Sequence, residues 1–187
     1  MSLFPSLPGR ANLEDLFKAH AKGVEPLIAL HDALLRSDDS ELDIATRELI
    51  TCYVSCLNRC AYCFGAHRTT AIAFGMDPQL IEALMADIET SPLPEKLKPL
   101  LHYTRKVTLK ESVLPSDIRA IEDAGWQERT LHDVLMITCL YNFMNRLVDG
   151  AGLATKASYE APRALAPEAK RQRSYREWGE EAGFLPS

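Results

Sequence analysis

The chain has 187 residues, 47% hydrophobic and 25% charged, the profile of one globular domain rather than a disordered or fibrous chain. Its formal net charge of −5 gives no basic footprint for nucleic acid or an anionic membrane, and no run of about 18 apolar residues reads as a membrane span. The opening MSLFPSLPGRANLEDLF lacks a charged segment followed by an apolar core, and the five cysteines are not spread as a disulfide framework, so a cytoplasmic protein with reduced thiols is expected.

In chain order, residues 1–12 read as an arm. Pro26 is placed to open a helix over Leu27–Leu35, and Ser40 to cap the long helix that follows. Asp77-Pro78 starts a short helix through Ala86, Pro94 another through about Lys110, and Ser116-Asp117 suits a cap for Ile118–Asp123, closed by Gly125. Trp126 or Gln127 to about Val148 reads as one long helix. The charged tail, with Tyr175 and Trp178, predicts a helix over Pro167–Ala182. A polar helix gains little by standing free, so this one is expected either to dock, on a neighbour such as another subunit, or to fray. No alternating β-branched run bounded by hairpin turns stands out, and the fold class is all-α.

An internal similarity recurs at an offset of 87 residues: Ile50-Thr51-Cys52 with Ile137-Thr138-Cys139, and Asn58-Arg59 with Asn145-Arg146. It fits either a duplication or chance likeness between two buried helices. At that offset Glu48, Cys60, Cys63 and His67 face Leu135, Leu147, Gly150 and Ala154, so a second copy is expected to be scaffold.

The chemistry concentrates in Glu48–His67, ELITCYVSCLNRCAYCFGAH. Cys60 and Cys63 form a Cys-x-x-Cys pair, and His67 lies one helical turn past Cys63, so a helix from Cys60 places all three on one face. The thiolate is the attacking species, and a nearby imidazole decides whether it forms. Glu48 would lie about 18 Å from Cys60 in one straight helix, at about 1.5 Å per residue. It reaches the thiols only if its helix ends near Arg59 and a new one starts near Cys60. That break also puts the cysteine pair at a helix N-terminus, where the dipole lowers a thiol pKa. Cys-x-x-Cys-x-x-x-His supplies three of the ligands of a zinc site, but no fourth stands at a suitable spacing, so no metal is expected.

Other candidates have blander readings. Cys52, Cys56 and Cys139 read as small buried hydrophobes. His20, His31, His102 and His132 lack a partner pattern and read as surface or core residues. Arg59 suits either a thiolate neighbour or an ion pair.

Glu, eleven residues, then Cys-x-x-Cys-x-x-x-His resembles the redox-active branch of the AhpD-like alkylhydroperoxidase and carboxymuconolactone decarboxylase superfamily. The segment YNFMNRLVDGAG, Tyr141–Gly152, resembles its peroxidase-related members. The likeness spans roughly residues 25–155 of a single domain and implies an AhpD-like helical fold. It implies a peroxidase in which Cys63, the cysteine nearer His67, attacks the peroxide and Cys60 resolves the sulfenic acid to a disulfide. His67 and Glu48 then relay protons. The resemblance further implies a dihydrolipoyl or thioredoxin-like reductant, no organic cofactor, and a homodimer, homotrimer or hexamer. Peroxidase relatives can place a histidine between the cysteines, where this chain has Tyr62, a poor relay at neutral pH or a packing residue. Asn145, Arg146 and Asp149 match a family signature that either lines the site or locks a subunit contact. Two rivals stand beside this reading: a carboxymuconolactone decarboxylase-like lyase, and a redox-sensing oligomer without turnover.

Overall fold

Helix caps divide the chain before packing does. The computed structural model of the protein describes residues 2–153 and 173–186, all helix, turn or loop. Helix α1 (Leu13–Ala19), missing from the sequence expectations, is opened by Asn12: its side chain accepts from the Glu14 and Asp15 amides, while the Asp15 carboxylate accepts from the Asn12 amide. Helix α2 (Val24–Leu35) starts two residues before Pro26, after Gly23 in the left-handed region at φ 81°. Pro26 thus sits in the first turn, where its missing N–H leaves no intrahelical bond unmade.

Helix α3 (Ile44–Leu57) is capped by Asp43 rather than Ser40: the Asp43 carboxylate accepts from the Thr46 amide at 2.7 Å. The Ser40 hydroxyl donates instead to Asp133 at 2.8 Å. Every residue from Arg47 to Ser55 is buried, which makes α3 the axis of the molecule. Its end is built by backbone alone. The Cys60 amide bonds the Ser55 carbonyl and the Arg59 amide bonds that of Cys56, with Arg59 in the left-handed region at φ 58°. This Schellman turn normally takes glycine. Helix α4 (Ala61–Ala73) then starts with Cys60 at its N-cap and folds back along α3.

Helix α5 (Pro78–Ala86) is capped by Asp77, as the sequence suggests. A 3₁₀ turn over Glu95–Leu97 leads into α6 (Lys98–Leu109). Helix α7 (Pro115–Asp123) begins at the proline, not at Ser116. Asp117 reaches back to the Leu114 amide at 2.7 Å and pairs with Lys106 at 2.7 Å. Helix α8 (Glu128–Ala151) packs along α3, α6 and α2, and Gly152 in the left-handed region ends it.

The tail returns to this body. Helix α9 (Tyr175–Ala182) is shorter than expected at its start, and residues 167–172 of the expected helix lie outside the described residues. It packs on α2 of its own chain. The Asp32 carboxylate accepts from the Tyr175 and Arg176 amides at 2.6 and 2.9 Å, placing negative charge at the positive end of the helix. Phe17, Trp178 and Phe184 form an edge-to-face cluster beneath it. The N-terminal residues also pack inward, with the Leu3 amide bonded to the Ala151 carbonyl and Leu7 and Ala11 buried.

No helix among the described residues is long and apolar enough to cross a membrane. At the 87-residue offset, Asn58 and Asn145 meet: the Asn58 amide donates to the Asn145 carbonyl oxygen at 2.9 Å. The strained end of α3 gives a stability test. Arg59→Gly relieves the left-handed cost, and denaturant unfolding is expected to show a gain of about 0.5–1 kcal/mol with the fold unchanged.

Candidate active site

A carboxylate without solvent needs cations and donors around it. Glu48 is 0% exposed in the middle of α3, and three other helices supply its partners. Arg36, at the end of α2, donates from Nη1 to Oε1 at 2.6 Å. His67, two turns into α4, meets Oε2 through Nδ1 at 2.6 Å. The Tyr175 hydroxyl of α9 donates to Oε1 at 3.4 Å. Burial alone would raise the Glu48 pKa. The charges of His67 and Arg36, and the hydrogen bonds they donate, outweigh it and hold the carboxyl at about 2. Arg36 lies between two rings, 5.2 Å from the Phe74 centroid and 4.8 Å from that of Tyr175.

Glu48 also sets the imidazole. Because Nδ1–H points at the carboxylate, Nε2 of the neutral ring is left as the proton acceptor. The His67 ring stands edge-to-face on Tyr141 with centroids 4.5 Å apart, which fixes its plane.

The two thiols are both buried, Cys60 at the N-cap of α4 and Cys63 one turn in. They act on each other. Cys63 donates toward the Cys60 sulfur, which lowers the Cys60 pKa despite its burial. The same contact, together with burial, pushes the Cys63 thiol up. Once the pair has lost one proton, the remaining proton is therefore shared and the negative charge lies on the Cys60 side. Asn145 of α8 eases Cys63 the other way, and Asp149 raises both thiols. Thus Asn145 and Asp149 adjoin the dithiol. Arg146, in contrast, is exposed and folds back on the Asn142 carbonyl at 2.6 Å.

Cys63 and His67 open on one cavity of about 430 Å³, whereas Cys60 does not line it. No direct hydrogen bond joins His67 to Cys63 among the described residues. The cavity is their common ground. Its wall is largely apolar, with Leu13, Phe17, Ile28, Met144 and Trp178, and α9 closes one side through Ser174, Tyr175 and Trp178.

The structure thus brings Glu48, Cys60, Cys63 and His67 to one place, with α3 ending where that requires. Three expectations change. Cys139, on α8, is exposed rather than buried. His31 belongs to the cavity wall; its Nδ1 meets the Leu27 carbonyl at 2.8 Å, and burial lowers its pKa to about 4, so it is neutral at pH 7. The second copy is more than scaffold, since Tyr141, Met144 and Asn145 of α8 all reach the site. Tyr62 packs, as one of its two readings has it: it is buried, its hydroxyl accepts from the Leu13 amide at 3.1 Å, and its side chain lines the cavity. Arg36, Tyr141 and Tyr175 carry no local sequence signal for this site; only the aromatic tail hinted that α9 packs on something. Among the described residues no three His, Cys, Asp or Glu side chains gather as a metal-ligand cluster.

The Carboxymuconolactone decarboxylase family matches residues 24–94, which spans α2 to the start of the 3₁₀ turn and includes all four candidate residues. Among solved structures, an uncharacterised peroxidase-related protein from Silicibacter sp. TM1040 is 27% identical with a TM-score of 0.70, over 79% of this chain and 78% of that one. The family match covers less than half of the chain, and the fold is the AhpD-like helical fold. A second AhpD-like structure, an uncharacterised peroxidase-related protein with an alkylhydroperoxidase AhpD core from Ralstonia eutropha JMP134, shares the fold at 22% identity and a TM-score of 0.71, over 78% of this chain and 76% of that one. Comparison with curated proteins gives no match.

Within this AhpD-like fold the Glu48 charge has a pH signature. Its folded pKa lies below the ordinary 4.5, so its stabilisation is complete above pH 4.5 and is lost as pH falls toward 2. The span corresponds to about 3 kcal/mol. Glu48→Gln, which leaves Arg36 without its counter-charge, is expected to cost about 3–5 kcal/mol at pH 7 and to lack this acid loss. Denaturant titrations of both proteins between these pH values check it.

Proposed function

We propose that the protein is a thiol-dependent peroxidase that reduces organic hydroperoxides through Cys63 and Cys60. The observation that carries the reading is that Cys63 opens on an apolar cavity beside a histidine oriented by a fully buried carboxylate. A cavity of about 430 Å³ has room for a substrate much larger than hydrogen peroxide.

The reaction starts from the shared proton. When a hydroperoxide enters, that proton settles on Cys60, and the Cys63 thiolate attacks the terminal oxygen of ROOH. The S–O bond forms as the O–O bond breaks, leaving Cys63 as a sulfenic acid and releasing RO⁻. His67, held by Glu48, has taken up at Nε2 the first proton lost by the thiol pair, and it returns that proton to RO⁻ to give ROH. The Cys60 sulfur then attacks the sulfenic sulfur, forming the disulfide and releasing water. Two thiols are oxidised and one peroxide is reduced. An external dithiol, of dihydrolipoyl or thioredoxin-like type, restores both thiols. A cytoplasmic homo-oligomer is part of the same reading.

The test is a free-thiol count on pre-reduced, metal-free protein before and after one equivalent of cumene hydroperoxide, under denaturing conditions. The five cysteines fall to three in the wild type, whereas Cys60→Ser and Cys63→Ser form no intramolecular disulfide. Five thiols persisting in the wild type would sink the peroxidase reading and leave a lyase to be tested by loss of carbon dioxide.

A further inference from the structure

The aromatic cluster under the tail contains one ring that is not fully covered. Phe17 and Phe184 are buried, whereas Trp178 is only partly buried and lines the cavity on which Cys63 and His67 open. Its ring is held from several sides. The indole Nε1–H donates to the Glu14 carboxylate at 3.1 Å, and Phe184 and Phe17 meet it with centroids 4.8 and 6.5 Å away. Gly179 permits this closeness. The Phe184 and Leu185 amides fold back onto its carbonyl at 3.0 and 3.1 Å, and a Cβ there would lie 2.6 Å from Leu185 Cδ1. A ring already held in place loses little further freedom when a ligand packs on it.

The charged groups of the cavity wall are already engaged. Arg36 pairs with Glu48 at 2.6 Å, Arg173 with Glu181 at 2.5 Å, and Glu14 holds the indole itself. The cavity therefore offers apolar surface, not a counter-ion, to the part of a substrate that does not react. Trp178 is the largest apolar side chain in that wall. It lies one turn beyond Tyr175 on the same face of α9, with the two rings 6.5 Å apart, and the Tyr175 hydroxyl reaches Glu48. Trp178 also stands outside residues 24–94, so the family match does not account for it.

We propose that Trp178 is a specificity-determining residue whose indole seats the organic group of an uncharged, apolar hydroperoxide while Cys63 attacks the O–O end. No bond forms or breaks at the indole. Contact with a bulky aryl or alkyl group favours only the peroxides that carry one, because hydrogen peroxide has nothing to place there. This inference rests on the peroxidase reading and gives it a substrate class.

The test follows Cys63 oxidation in reduced wild type, Trp178→Ala and Trp178→Phe, by cumene hydroperoxide and by hydrogen peroxide, with peptide mass spectrometry. The quantity read is the ratio of the two second-order rates, which a loss of stability alone would not move. The expected ratio is about tenfold lower in Trp178→Ala, the order that loss of one apolar contact gives. A smaller fall is expected in Trp178→Phe, which keeps an aromatic ring. Thermal unfolding runs in parallel, and where Trp178→Ala does not fold, the ratio in Trp178→Phe decides. A ratio unchanged or raised would overturn the inference while leaving the peroxidase reading intact. A wild type whose Cys63 is alkylated by iodoacetamide but inert to both peroxides would overturn the peroxidase reading, and the inference with it.

Discussion

Glu48 carries an ionised carboxylate at the centre of the longest-buried helix of the protein, and burial of that charge is the constraint the rest of the structure answers. Unpaired, such a carboxylate would take up a proton or unfold its surroundings. Its partners come from α2, α4 and α9, three segments separated in sequence, so the charge can be satisfied only when the body, the reversed helix and the tail are all in place. The reversal of the chain at Arg59 and the return of the tail under Asp32 both serve that end. The requirement is an energetic one, and it makes the fold specific as well as stable.

The same arrangement builds the candidate site from ordinary parts. The helix break lifts Cys60 to an N-cap and leaves Cys63 one turn inside, so that the two sulfurs share a proton. Cys60, away from the cavity, gives up its proton more readily, and Cys63 lines the cavity. Accessibility and ease of ionisation are thus divided between the two thiols. Transfer of one proton over the short gap between them reconciles the two. The α8 helix continues straight where its counterpart α3 breaks, and this difference lets it act as a wall, presenting Tyr141 and Asn145 to the site.

Much of this was legible in residues with local consequences. The Asp77-Pro78 start, the Gly125 stop and the offsets among Cys60, Cys63 and His67 are short-range patterns, and they gave the helices and half of the site. The break at Arg59 followed from distance alone, because Glu48 had no other way to reach the thiols. Caps were harder to place. Ser40 and Ser116 are good capping residues, but Asp43 and Asp117 lie closer to the free amides and carry a charge. What no local pattern could reveal was tertiary pairing: Arg36 under Tyr175, Tyr141 against His67, and a tail helix whose N-terminus is held by Asp32, 143 residues away in sequence from Tyr175.

The central claim is that Glu48 orients His67 to carry a proton for Cys63, and stopped-flow oxidation of reduced His67→Gln by cumene hydroperoxide tests it most directly. Glutamine can still donate a hydrogen bond to Glu48, which preserves the buried pair, but it cannot transfer a proton at neutral pH. The account predicts that the Cys63 oxidation rate falls by about 100-fold or more while helical content is unchanged. A variant that reacts as fast as the wild type would contradict it.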